Sequence, residues 1–198
     1  RAGGGNPSPG DIRMADMNRT VCPSLSDSGD VDTRCVTLIG MPGSGKSTLA
    51  KEISRSLGWS WLDTDYLLES WFGLPLESLR NRLGRDRFLR SEEELVLDLW
   101  VRRCIVATGG SVVYSPRAMR KLQDIGPVVY LQAEPEVIAS RVAQHPYRGL
   151  VMREGQDLGQ VLEERKPLYE AYTDLSVDTA QYGLQDCVEK IVRQLELE

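Results

Sequence analysis

The sequence is poor in several things that would commit it to a class. Its four cysteines, Cys22, Cys35, Cys104 and Cys187, are far apart and form no CxxC pair. That argues against a structural zinc site or a disulfide framework and suits a reducing cytoplasm. No run approaches the roughly 18 apolar residues of a membrane-spanning helix. There is no basic excess: 24 Lys+Arg face 29 Asp+Glu, a net charge of −5, so nucleic acid is disfavoured as a partner. No internal repeat is present. The single histidine, His145, is assigned no role. Residues 1–33 are rich in Gly, Ser, Pro and Asp and lack the apolar core of about 7–15 residues that a signal peptide needs. They read as a flexible tail. Met14 opens MADMNRT and is an expected translation start, which mass spectrometry of the native N-terminus would check. What is present is a 41% hydrophobic share in 198 residues, enough for one domain with a real core at about 150 residues per domain.

From Arg34 onward strand and helix signals alternate. Short β-rich runs fall at 35–39, 59–62, 104–107, 128–131 and 174–178. Helical patterns fall at 46–57, 65–83, 86–102, 116–123, 135–142, 159–172 and 183–196. Pro116 stands at a helix start, where its missing N–H costs nothing. Strands alternating with helices of this length imply βαβ units: an α/β domain over 34–198 with a five-stranded parallel sheet covered on both faces. Residues 144–158 carry no clear period.

Gly40-Met41-Pro42-Gly43-Ser44-Gly45-Lys46-Ser47-Thr48 fits G-x-x-x-x-G-K-[ST] and lies between a strand and a helix, the context that gives the motif its meaning. Glycines let the backbone turn its N–H groups inward as an anion nest, and the helix N-terminus adds its positive end. Gly43, Ser44, Gly45, Lys46, Ser47 and Thr48 are therefore candidate ATP-binding residues. Lys46 would reach the β- and γ-phosphates, and the Ser47 hydroxyl is a hard ligand for Mg²⁺. The chain is short for a motor or a GTPase and lacks an Asn/Thr-Lys-x-Asp guanine signature, which leaves a small nucleotide-dependent kinase.

Asp63-Thr64-Asp65 follows the second strand. Residues two apart on extended chain point the same way, and ligands of open α/β sheets bind beyond the carboxyl ends of strands. One carboxylate would support Mg²⁺ through water, and Asp65 would take the proton of a substrate hydroxyl. The plainer alternative is that Asp63 or Thr64 caps the next helix.

These blocks, together with ATGG (107–110), RGL (148–150) and ERKPLYE (164–170), resemble the shikimate kinase family over about residues 34–196. The resemblance implies a P-loop NTPase-type α/β fold with a substrate-binding helical region and a mobile lid at about 144–158. It implies that Asp65 activates the reacting hydroxyl and that Asp63 supports Mg²⁺ through water. Gly109 and Gly110 would face the substrate, Arg148 would approach the transferring phosphoryl from the lid, Arg165 would pair with a substrate carboxylate, and Arg141 would lean on the adenine. Arg148 as a solvated loop charge and Arg165 as a surface ion-pair residue are the plain alternatives. A cation delivered with water excluded suits the developing charge, and a guanidinium fork suits a planar carboxylate. The implied function is ATP- and Mg²⁺-dependent phosphorylation of a small hydroxy acid by a cytoplasmic enzyme whose size suits a monomer, with no membrane partner.

Two departures touch the acceptor end. Shikimate kinases usually place arginine directly after the phenylalanine matching Phe88. Here Leu89 stands there and arginine follows at Arg90, about 100° further round a helix. The usual third glycine after Gly110 is Ser111. Shikimate is the first expectation. Homoserine is the second, and a nucleotide-binding module without transfer chemistry is the third. Trp59, Trp61, Trp71 and Trp100 are expected in the core or a pocket wall, and Glu92-Glu93-Glu94 on a solvated helix face, with Glu92 able to orient an arginine.

Overall fold

The computed structural model describes residues 33–144, 151–153 and 155–197. Met14 and the expected tail, apart from Thr33, lie outside these residues. Five strands form one sheet: β1 (Val36–Ile39), β2 (Ser60–Asp63), β3 (Cys104–Ala107), β4 (Val128–Gln132) and β5 (Leu175–Asp178). Their spatial order is β2-β3-β1-β4-β5, and every pairing is parallel. The register sets Val36 against Ile105 and Leu38 against Ala107.

Side chains alternate across this sheet, as the period of two requires. Val36, Leu38, Ile105, Ala107, Val129 and Val177 join α1 (Lys46–Leu57) and α7 (Leu184–Gln194) in one cluster. Ile39, Val106, Val128 and Tyr130 face the other side. There they meet α3 (Leu76–Leu97), α4 (Pro116–Ile125) and α6 (Leu158–Tyr172). Sheet strands buried on both faces read as continuous apolar runs, which is how β1, β3 and β4 appear.

Two elements differ from the sequence expectation. The single helix expected over 65–83 is interrupted. α2 (Thr64–Phe72) stops at Gly73, which takes a left-handed conformation with φ 63° as its C-cap, and Pro75 precedes the start of α3. The expected break near residues 84–85 is a kink within α3, where Gly84 has φ 71° and ψ 169°. α5 (Pro135–Gln144) precedes the segment read as a lid. α6 opens on a capping box: Asp157 accepts from the Gln160 N–H and Gln160 returns a bond to the Asp157 N–H. Trp59 is buried, but Trp71 and Trp100 are exposed by 44% and 71%, so neither is core. Cys35, Cys104 and Cys187 are free and buried. No helix among the described residues is long and apolar enough to cross a membrane.

Candidate active site

The carboxyl ends of β1, β2 and β3 open onto one cleft. Sheet order makes this the place where connections diverge. From β1 the chain runs to β2 and β3 on one side, then crosses to β4 on the other. Crevices of this kind are where open α/β sheets hold ligands.

The turn from β1 to α1 is built for an anion. Gly43 and Gly45 have φ of 84° and 95°, values that turn successive N–H groups to one side. Gly40 is required for contact: a Cβ there would lie 2.6 Å from the Leu131 carbonyl oxygen. α1 has Gly45 as its N-cap, with no side-chain cap and no acid in its first turn. Its leading N–H groups are thus left for a ligand. Lys46 Nζ donates to the carbonyls of Gly40 and Met41, both at 2.8 Å. Ser44 Oγ is buried in the same turn without a hydrogen-bond partner. This set of features fits a polyphosphate.

Ser47 Oγ donates to Asp63 Oδ2 at 2.5 Å. Asp63 Oδ1 accepts from the Asp65 N–H at 3.0 Å and caps α2. Capping and cleft placement therefore coexist in Asp63. Two hard oxygens at the end of a phosphate loop are the donor chemistry Mg²⁺ accepts, since it keeps most of its shell for water and phosphate.

Asp65 lines the cleft from the first turn of α2. Gly109 packs edge-on against it. A Cβ on Gly109 would sit 2.7 Å from Asp65 Oδ1 and collide with Glu92 Oε1. The Gly109 N–H donates to Thr64 Oγ1 at 2.9 Å, and the Gly110 carbonyl accepts from the Tyr169 hydroxyl at 2.6 Å.

Arg165 is 1% exposed, which removes the surface ion-pair alternative. Its Nε donates to the Tyr114 hydroxyl at 3.2 Å and its NH2 to the Val151 carbonyl. The guanidinium lies 5.1 Å from the centre of the Tyr114 ring. NH1 is beside Gly110, 3.2 Å from where a Cβ would be. One edge of the fork is thus anchored by neutral groups while the residue lines the cleft.

Of the residues singled out from sequence, Gly43, Gly45, Lys46, Ser47, Asp63, Asp65, Gly110 and Arg165 line the cleft. Thr48 is exposed on α1. Arg141 donates to the Gly43 carbonyl at 3.1 Å and to the Thr179 carbonyl at 3.2 Å, tying α5 to the phosphate loop and the end of β5. Arg148 lies outside the described residues, as do the other residues of 145–150 and residue 154 of the expected lid.

Among the lining residues given no binding or catalytic role from sequence are Glu92, Ser111 and Arg80. Glu92, expected on a solvated face, is 4% exposed and accepts from the Ser111 hydroxyl. Burial, then the nearby Asp65 charge, push its carboxyl up to about 7, with Ser111, Arg80 and Arg165 acting the other way. Ser111 is itself buried. Arg80 is the third. Its guanidinium lies 5.1 Å from the Phe88 ring centre, and its buried Nε and NH1 have no hydrogen-bond partner. The signal for Glu92 was its spacing four residues after Phe88, on the apolar face. Arg80 gave no signal, because it stands among Arg82, Arg85, Arg87 and Arg90 in a segment that reads as a charged surface.

The shikimate kinase family model matches residues 42–196, and the NB-ARC domain model matches residues 14–61, which include the phosphate loop. The shikimate kinase of Moorella thermoacetica is 37% identical over 146 residues, 73% of this chain and 84% of that protein. That of Paracidovorax citrulli is 36% identical, covering 82% and 92%. The Acinetobacter baumannii shikimate kinase, solved in complex with shikimate, superposes with a TM-score of 0.75 at 25% identity, over 83% of this chain and 93% of that one. A family model that spans residues 42–196 of the chain, and relatives at 37% and 36% identity over most of their length, show that the chain belongs to the shikimate kinase family.

Proposed function

We propose that the chain transfers the terminal phosphoryl group of ATP to a hydroxyl of shikimate. One observation carries the reading: Asp65 and the buried Arg165, a hundred positions apart in sequence, line the same cleft as Lys46 and Ser47 of the phosphate loop. Family membership supports both the kinase chemistry and the acceptor.

The roles follow from charge and reach. The loop N–H groups and Lys46 hold the phosphate oxygens and offset the negative charge that grows on the transferring group. Ser47, and Asp63 through water, would hold Mg²⁺, which when bound neutralises phosphate charge. Asp65 accepts the hydroxyl proton as the acceptor oxygen attacks. Arg165 takes the acceptor carboxylate with the edge of its fork that neutral groups leave open. Arg141, fixed to the Gly43 carbonyl, borders the nucleotide side. Most of the rate then comes from position and fixed charge.

The test is ADP release measured with shikimate, homoserine, gluconate or no acceptor. Shikimate-dependent release is expected. Release favouring homoserine would replace the acceptor, and no response to any acid would leave a nucleotide-binding module.

A further inference from the structure

Among the described lining residues, Arg80 is the cation that the reaction above leaves without a task. Its position depends on Gly84. In a straight helix, residues 80 and 88 are separated by about 12 Å of rise and about 80° of rotation. Gly84 breaks the helical path, and the Arg80 guanidinium comes to rest 5.1 Å from the Phe88 ring centre, facing the cleft. Leu89 turns into the core cluster, and Arg90 is exposed. The second half of α3 therefore offers the cleft an acid, Glu92, and the first half offers it a cation.

Two facts single Arg80 out. Its Nε and NH1 are buried and hydrogen-bond to nothing in the protein, although Asp65 and Glu92 are near enough to act on its charge. Glu92 is committed to Ser111 instead. Buried guanidinium nitrogens without hydrogen-bond acceptors are costly unless a ligand completes them. The second fact is the company it keeps. Arg80 and Arg165 are like charges in one cleft, and each disfavours the other's burial. An anion entering between them removes that repulsion, and a carboxylate has the two coplanar oxygens that a guanidinium fork accepts.

We propose that Arg80 is a specificity-determining residue of this enzyme: with Arg165 it grips the carboxylate of the acceptor, from the first half of the kinked helix. The inference rests on the hydroxy-acid kinase reading above. A hydroxyl or an amide would satisfy one N–H but would not relieve the repulsion between the two cations, so Arg80 selects acids.

The test uses full-length wild type, Arg80→Met and Arg80→Lys, assayed with shikimate and with its uncharged carboxamide. Met keeps an unbranched stem to pack on Phe88, and Lys keeps the charge without the fork. For Arg80→Met, the KM for shikimate should rise at least tenfold, with the KM for ATP within twofold of wild type. The preference of wild type for acid over amide should fall at least tenfold. Arg80→Lys should recover part of that preference. Free guanidinium, added at millimolar concentration, should lower the KM of the Met variant and leave wild type unchanged. If wild type is active and Arg80→Met shows the same KM and the same acid-over-amide preference, Arg80 has no such role. If wild type phosphorylates no acid, the functional reading falls and this inference falls with it. A Met variant that is unfolded by circular dichroism is replaced by the Lys variant, where an unchanged acid preference overturns the proposal and a reduced one supports it.

Discussion

Ser47 and Asp63 are joined by a 2.5 Å hydrogen bond across the gap between the first turn of α1 and the end of β2. The same carboxylate caps α2 through the Asp65 N–H. One side chain thus links the phosphate loop to the helix that carries the proposed base. Asp63→Asn and Asp63→Ala separate these duties. Asparagine is as good an N-cap as aspartate, whereas alanine costs about 1 kcal/mol. Asp63→Asn should keep thermal stability near wild type yet lower kcat at limiting Mg²⁺ by tenfold or more. Asp63→Ala should lose both. A thermal melt and a Mg²⁺ titration of turnover check this. Full activity of Asp63→Asn at every Mg²⁺ concentration would remove its charge from the reaction.

Asp65 stands where Gly109 leaves room for it. On the proposed reaction Asp65→Asn removes the proton acceptor without changing shape. The kcat should fall by about 10²–10⁴, the range typical of a lost general base. ATP binding, followed by fluorescence or calorimetry, should hold. Gly109→Ala should resemble it, because the new methyl drives both Asp65 and Glu92 out of position. Wild-type kcat in Asp65→Asn would end its assignment as the base.

Glu92 makes stability depend on pH with an unusual sign. Its folded-state pKa is raised from 4.5 to about 7, first by burial and then by Asp65. The folded protein therefore binds this proton more tightly than the unfolded chain does. Stability from this group is full below about 4.5 and is lost as pH rises through 7. The span corresponds to at most about 3 kcal/mol. Glu92→Gln keeps the shape and removes the titration. Urea unfolding at several pH values from 5 to 8 should show wild type weakening relative to Glu92→Gln as pH rises. Parallel curves for the two proteins would show that Glu92 does not titrate in this range.

The alternation of strands and helices was legible because each element has an apolar period that a parallel sheet demands. The phosphate loop was legible because its glycines and its lysine are fixed by spacing. Asp63 and Asp65 followed from their place after the second strand, and Gly110 and Arg165 from sequence blocks that resemble the shikimate kinase family. The acceptor side was less legible. Glu92 lies inside an acidic triplet, and only its burial separates it from Glu94, which is exposed. The placement of Arg80 beside Phe88 depends on the change of helix direction at Gly84. Sequence periodicity marks faces of straight helices, so a residue whose placement comes from a change of axis is invisible to it. Glu93 shows the same limit in milder form: it accepts from Ser115 and Arg117, bracing α3 against the start of α4.

Gly84 is the residue on which the acceptor wall turns. No atom lies within 4 Å of the position of its absent Cβ, so space does not demand glycine there. Its backbone does, because φ 71° with ψ 169° lies in a region essentially open only to glycine, which costs a residue with a Cβ about 1–3 kcal/mol. In an unkinked helix alanine would instead be favoured over glycine by about 1 kcal/mol. Gly84→Ala therefore favours straightening α3, which would draw Arg80 away from Phe88 while leaving the phosphate loop of the β1–α1 connection untouched. The KM for the acceptor should rise several-fold with the KM for ATP unchanged, and helical circular dichroism should increase slightly. Equal acceptor KM in wild type and Gly84→Ala would show that the bend is not what builds this wall, and an increase in both KM values would show that the two substrate sites share the helix.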